Sequence, residues 1–233
     1  MIKDKVLYKH MKNWAEGPKG HRPVIQHIWF DGENAVATNL HTLALVKDIH
    51  TSKPYFETVD GKDVGVPKNC KFLDYHKVLT QEKDIYGKLT IKPDKQMLQS
   101  WVAAGNLIKK MTKGEYIIGS YLANNRGTLD LYTMGSLGLR SKITLVQTKT
   151  TDDKWVACYN SEYLANAFEF LKDTDPLDLE IYVNAYTKVL TFETSDILLV
   201  ICPCRIREDQ PLYHWVKYGE NLIDSNDDFN FDA

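Results

Sequence analysis

The sequence predicts an α+β fold made of repeated helix plus antiparallel sheet units. A helical apolar period followed by several short β-type runs occurs three times along the 233 residues. Turn signals such as Asp31-Gly32 separate apolar runs of strand length. The composition, 43% apolar and 11% aromatic, supplies a core of the size such units need and excludes a disordered chain.

In chain order, Leu7, His10, Met11, Trp14 and Ala15 recur at helical spacing, which predicts a first helix over 6–16 that Gly17-Pro18 terminates. Strands are expected over 24–30 and 35–38 around the Asp31-Gly32 turn, with extended chain over 43–49. Residues 50–87 are rich in Pro, Gly, Lys and Asp and read as irregular chain or short strands, with 72–79 as a connecting segment. A second helix is expected over 95–111, with Asp94 as N-cap and Met97, Leu98, Trp101, Val102, Leu107 and Ile108 on its apolar face. Strands are expected over 116–122, 128–133, 139–148 and 155–159. A third helix over 162–171, capped by Asn160 or Ser161, precedes strands over 179–183, 189–193 and 197–201.

Several function classes are excluded or disfavoured. No run of apolar residues reaches the ~18 needed to cross a membrane, and residues 1–6 contain no apolar signal-peptide core, so the expected location is the cytoplasm. No phosphate-binding glycine loop, nucleophile elbow or zinc-protease motif occurs. The seven histidines (His10, His21, His27, His41, His50, His76, His214) share no ligand spacing, and no Cys-x-x-Cys occurs. We therefore expect no enzyme, no metal and no cofactor. Cys202 and Cys204 fall on one face of an expected strand, which reads as two reduced, small apolar side chains or as a vicinal metal or redox pair.

The net charge of −2 hides a split. Residues 207–233 carry two bases against seven acids, and residues 1–206 carry 27 bases against 24 acids. A mildly basic body thus bears an acidic C-terminal tail.

Four segments resemble bacterial sliding clamps, the processivity (beta) subunit of DNA polymerase III. Val36-Ala37-Thr38-Asn39-Leu40-His41-Thr42-Leu43-Ala44, after Arg22-Pro23-Val24, is similar to the family's Val-Ala-Thr-Asp-Gly-His-Arg-Leu-Ala. Lys71-Phe72-Leu73-Asp74-Tyr75-His76-Lys77-Val78-Leu79 is similar to the linker Arg-Phe-Pro-Asp-Tyr-Arg-Arg-Val-Leu between the middle and last clamp domains. Asn160-Ser161-Glu162-Tyr163-Leu164 matches the Asn-x-x-Tyr-Leu helix start of the last domain. Ile201-Cys202-Pro203-Cys204-Arg205-Ile206 is similar to the closing Val-Met-Pro-Met-Arg-Leu.

The resemblance implies a DNA-clamp-like fold of reduced form. Residues 1–87 would be a partial clamp-like domain with the linker at 72–79, residues 88–206 a complete one, and residues 207–233 an appended acidic tail. The family's first domain has no counterpart in this sequence. The resemblance also implies a non-catalytic protein of DNA replication with two kinds of partner. Peptides of replication or repair proteins would insert between the domains, at Thr38, Leu40, His41, Thr42, Leu43, Leu73, Lys77, Val78, Val200, Cys202, Pro203, Cys204 and Arg205. Double-stranded DNA would meet Lys9, Lys12, Lys109, Lys110 and Lys113, although these lysines read equally as a solvated helix face. Homo-oligomerisation follows from the family's rings. The other reading is a clamp mimic that titrates clamp-binding partners without touching DNA. At the pocket, Leu40 stands where the family has Gly, Thr42 where it has Arg, and Cys202 and Cys204 where it has Met, so the pocket should be reshaped. For the tail, the sequence leaves open a fold-back over the pocket, a contact with a neighbouring chain, or a disordered appendage.

Overall fold

A computed structural model describes residues 2, 4–16, 22–65, 71–112, 119–125, 128–135, 139–147, 154–205 and 211–218. The first helix, α1 (Asp4–Met11), is followed by β1 (His27–Phe30), β2 (Ala35–Thr38), β3 (Thr42–Val46), β4 (Tyr55–Thr58) and β5 (Asp63–Gly65). A second group comprises β6 (Ile85–Ile91), α2 (Lys95–Met111), β7 (Gly119–Asn125), β8 (Thr128–Met134) and β9 (Arg140–Gln147). The third comprises β10 (Lys154–Asn160), α3 (Ser161–Thr174), β11 (Leu179–Asn184), β12 (Leu190–Glu193) and β13 (Ile197–Ile201), and a last helix, α4 (Pro211–Tyr218), follows. The repeated helix-plus-antiparallel-sheet pattern of the sequence is the architecture of the molecule.

The strands form two antiparallel sheets. One has nine strands in the order β5-β4-β1-β2-β3-β13-β12-β11-β6, and the other has four in the order β10-β7-β8-β9. The larger sheet joins early and late chain at a single seam, where β3 pairs with β13 from Ile197↔Val46 to Ile201↔Thr42. Every residue of both seam strands is buried. The period-2 alternation of a strand sends Ala44, Val46, Ile197, Leu199 and Ile201 into the main core, which they share with α1, α2 and α3. Leu43, Leu45, Leu198 and Val200 face the other way, into a second core that Val36 and Tyr75 complete and Phe72 and Leu79 flank.

The helices begin where the sequence places caps. Asp94 accepts the Met97 N–H at 2.7 Å, and Asn160 accepts the Glu162 N–H at 2.8 Å. Helices α2 and α3 approach closely at Gly105, where an added Cβ would sit 3.0 Å from the Ala165 Cα and 3.2 Å from the Phe168 ring. Glycine is required there by space rather than by backbone angle.

Four local expectations are corrected. The first helix ends at Met11, and residues 13 and 14 continue only as turns through N–H bonds to the carbonyls of His10 and Met11. The expected strand over 24–30 is divided, because Pro23, with its fixed φ, opens a short 3₁₀ turn (Pro23–Gln26) before β1. Within 50–87, β4 and β5 are short strands, one of the two readings of that segment, and extend the large sheet, but the seven-residue strand β6, which begins there at Ile85, was not expected. Its buried–exposed alternation from Gly87 to Ile91 is regular but was masked by flanking lysines. The tail contains a helix: α4 lays Leu212 and Trp215 on Tyr121 of β7 and Cys158 of β10, with Tyr132 edge-on to Trp215 at 5.2 Å. The described part of the tail thus lies on the four-stranded sheet and not over the seam. Residues 219–233, including Phe229 and Phe231, lie outside the described residues.

Helix α1 is held to α3 by His10, which is buried, stacks on Phe170 at 4.6 Å and bonds through Nε2 to Asp173 at 2.9 Å. Its Nδ1 has no partner among the described residues. Burial lowers the His10 pKa below its ordinary value, against the raising effect of Asp173. A group whose folded pKa is depressed contributes stability above its unfolded pKa, and that contribution is lost as the pH falls. The urea midpoint should therefore fall on acidification below about pH 6.5, the unperturbed histidine value. In His10→Phe, which keeps the stacked ring, that slope should vanish, and an unchanged slope would refute the assignment.

Candidate functional site

The site is built at the seam. Between β2 and β3 the chain turns through Asn39, Leu40 and His41. Asn39 Oδ1 accepts the N–H groups of His41 (2.9 Å) and Thr42 (2.8 Å) and the Thr42 hydroxyl (3.0 Å). Thr38 Oγ1 accepts the Leu40 N–H at 3.0 Å and donates to the Thr42 carbonyl at 2.6 Å. This network holds Leu40 at φ 73, the left-handed conformation that a residue with a Cβ adopts at a cost of about 1–2 kcal/mol. The resemblance placed a glycine at this position, and the backbone still has the form glycine prefers. The side chain of Leu40 projects from the turn and is 42% exposed.

The segment after β13 is clipped to the same turn, since the Cys202 N–H donates to the His41 carbonyl at 2.8 Å. The connecting segment 71–80 crosses the outer face of the sheet. Tyr75 anchors it by donating to Asp31 Oδ2 at 2.5 Å, and Asp31 also accepts the N–H groups of Glu33 and Asn34 in the β1–β2 turn. Burial opposes ionisation of Asp31, but these hydrogen bonds outweigh it and lower the pKa.

These constraints leave an open cleft lined by Thr38, Leu40, Thr42, Leu43, Leu73, Val78, Val200 and Cys202, with about 330 Å³ of empty space counted to its mouth. Leu43 and Val200 face each other directly across the β3–β13 register and form its floor. All eight lining residues are among the thirteen taken from the resemblance. The other five take different positions. His41 is exposed and contributes its carbonyl to the clip, and Lys77 is exposed and paired with Asp74 at 3.2 Å. Pro203 follows Cys202 half-buried, and Arg205 is exposed. Cys204 turns away from the cleft and forms an antiparallel bridge with Cys158 of β10. Burial raises the Cys202 thiol pKa, which suits an apolar wall. Asn39 was not singled out from the sequence. The signal for it was an Asx residue two places before a backbone that needs a turn.

Of the candidate DNA-facing lysines, Lys9, Lys109 and Lys110 lie on helices and Lys12 just past the end of α1, and the acids of α3 engage two of them. Lys9 pairs with Asp173, and Lys109 pairs with Glu162 at 3.1 Å. Lys12 and Lys110 are exposed, and Lys113 lies outside the described residues. Among the described residues, no three His, Cys, Asp or Glu side chains group to hold a metal ion, and no helix is long and apolar enough to cross a membrane.

The Asn39 network and the Leu40 conformation make a paired prediction. Asn39→Ala should destabilise the protein by about 1–3 kcal/mol, because two backbone N–H groups lose their acceptor. Leu40→Gly should be more stable than Leu40→Ala by about 1 kcal/mol, because both remove the side chain but only glycine relieves the backbone. Urea unfolding of the three variants measures both differences.

No family model matches the chain, and no curated protein matches its sequence. Solved structures do match. The DNA polymerase sliding clamp of Bacillus subtilis aligns with a TM-score of 0.68 at 11% identity, over 88% of this chain and 63% of that one. A ligand-bound sliding clamp of Pseudomonas aeruginosa aligns with a TM-score of 0.66 at 14% identity, over 86% of this chain and 64% of its own. The Bartonella birtlesii clamp bound to griselimycin aligns with a TM-score of 0.63 at 16% identity, over 87% and 64%. The chain thus spans somewhat less than two thirds of the length of these structures. At this level of identity the likeness speaks for architecture, and over that span the chain has the fold of the bacterial DNA polymerase III beta sliding clamps.

Proposed function

We propose that this protein is a non-catalytic, sliding-clamp-like docking protein of DNA replication or repair, which binds short partner peptides in the seam cleft. The carrying observation is the cleft itself. Eight side chains from three separated segments converge on one apolar depression, at the positions where the resemblance puts a peptide pocket. An apolar groove with two threonine hydroxyls and a ready-made turn beside it suits a peptide with one or two Leu or Phe anchors and a neighbouring Gln. The structures of the Pseudomonas aeruginosa clamp with ligand and of the Bartonella birtlesii clamp bound to griselimycin accord with this reading. In this reading, residues 1–87 and 88–206 act as partial and complete clamp units, and copies of the chain associate as clamps do.

Leu73 and Val78 reach the cleft from the connecting segment and are not buried in the sheet, so truncating them tests binding without dismantling the fold. Fluorescence anisotropy with a labelled clamp-binding peptide should show saturable binding. The Leu73→Ala/Val78→Ala double variant should weaken it by at least about tenfold, the equivalent of ~1.4 kcal/mol of lost apolar contact. Equal affinity of both proteins would remove the cleft from the mechanism.

A second reading is favoured by the ion pairs of Lys9 and Lys109, which spend two of the four described candidate lysines on the protein's own carboxylates. In that reading the protein binds clamp partners without DNA. Duplex DNA binding, measured from 50 to 200 mM salt, separates the two. A docking protein that holds DNA through phosphates should lose affinity steeply as salt rises, and one that only mimics a clamp should show no binding even at the lowest salt.

A further inference from the structure

We propose that Cys158 and Cys204 form a reversible, peroxide-sensitive thiol pair that ties the end of the cleft wall to the four-stranded sheet. Cys158 lies on β10, the edge strand of that sheet, and is paired on its other side with Tyr121 of β7. After β13 the chain runs along this edge, and Cys204 forms an antiparallel bridge with Cys158, donating its N–H to the Cys158 carbonyl at 2.7 Å. Directly opposed residues of an antiparallel pair have Cα atoms about 4.5–5.5 Å apart. That lies within the roughly 4.4–6.8 Å that a disulfide spans.

The side chains meet as well. Both thiols are free, they hydrogen-bond to each other, and they pack in one cluster beneath Leu212 and Trp215 of α4. Their environments differ in the sense that the chemistry needs. Cys204 is partly exposed, and its pKa is lowered by the hydrogen bond with Cys158, against burial, with help from the Asn160 backbone. Cys158 is 3% exposed, and the same hydrogen bond and its burial raise its pKa. Cys204 is thus the attacking thiolate and Cys158 the resolving thiol.

With hydrogen peroxide as oxidant, the Cys204 sulfur attacks one peroxide oxygen. The O–O bond breaks, and the departing hydroxide takes a proton to become water. The Cys158 sulfur then attacks the Cys204 sulfenic acid. The S–S bond forms, the S–O bond breaks, and hydroxide leaves with the Cys158 proton as a second water. Two thiols are oxidised and one peroxide is reduced. The product pins Cys204 to β10, two residues beyond the cleft residue Cys202, and closes a loop from β10 to the end of the seam. Cys202 and Cys204, adjacent in the sequence pattern, therefore have separate roles: one lines the cleft and the other pairs across the sheet edge.

The test uses the full chain treated with equimolar hydrogen peroxide and digested with trypsin under non-reducing conditions. The expected product is a cross-link between peptides 155–172 and 189–205, which dithiothreitol reverses. Fragmentation before Pro203 assigns the link to Cys204 rather than Cys202. The oxidised protein should melt higher than the reduced one by several degrees, since the cross-link restricts the unfolded chain. Alkylation by iodoacetamide at neutral pH should be about tenfold faster at Cys204 than at Cys202, and Cys158→Ser should abolish that difference. A Cys202–Cys204 link, over-oxidation of Cys204 without a link to Cys158, or a lowered melting temperature on cross-linking would each overturn the proposal.

Discussion

The structure depends on the pairing of β3 with β13. Five residues on each strand bring the two ends of the described fold into one nine-stranded sheet. Apart from Thr42, both strands are apolar at every position because both faces of the seam are covered. One face packs under the helices, and the other lies under the connecting segment 71–80. A slip of one residue would exchange Leu43 and Val200 for Thr42 and Ile201 on the outer face and leave Ala44 and Leu199 without the helices they fit. The register is therefore determined by burial on both sides.

The seam also explains why the cleft occurs where it does. A sheet face is open wherever no layer covers it, and the connecting segment covers the outer face only as far as Tyr75 and its bond to Asp31 hold it. Beyond that anchor, the β2–β3 turn and the clip from Cys202 to His41 raise two walls around the floor of Leu43 and Val200. The turn is held by Asn39 and Thr38 rather than by a glycine, which accounts for a leucine at positive φ on the rim. The same continuation of β13 that builds the cleft wall carries Cys204 to the edge of the second sheet. Cleft, sheet edge and α4 are thus connected through three consecutive residues.

The sequence was informative where signals were local. The limits of α2 followed from an Asp cap and a helical period, and α3 began after Asn160, one of the two caps that the sequence offered. The strands of the last unit emerged as short apolar runs between turn residues. Signals failed where a local preference competed with packing. Pro23 imposed a 3₁₀ turn on a run that otherwise looks like a strand. Strand β6 was hidden because its exposed positions, Lys88 and Thr90, lie in a lysine-rich stretch and leave a short alternation. Helix α4 was hidden in an acidic tail, although Pro211 followed by apolar residues at 212, 215 and 216 is a helix-start pattern.

By itself the sequence determined the fold class and most of the order of helices and strands, and its motif resemblance named thirteen residues of which eight line the cleft, because each was carried by a local period or a short motif. Tertiary structure decided what those residues do to one another. It placed Leu43 opposite Val200, turned Cys204 away from the cleft toward Cys158, spent Lys9 and Lys109 on α3 carboxylates, and set α4 on the four-stranded sheet. Each of these is a contact between segments far apart in the chain. Hydrophobic periodicity states which face of an element is buried but not which partner buries it, so such contacts exist only once the layers are stacked.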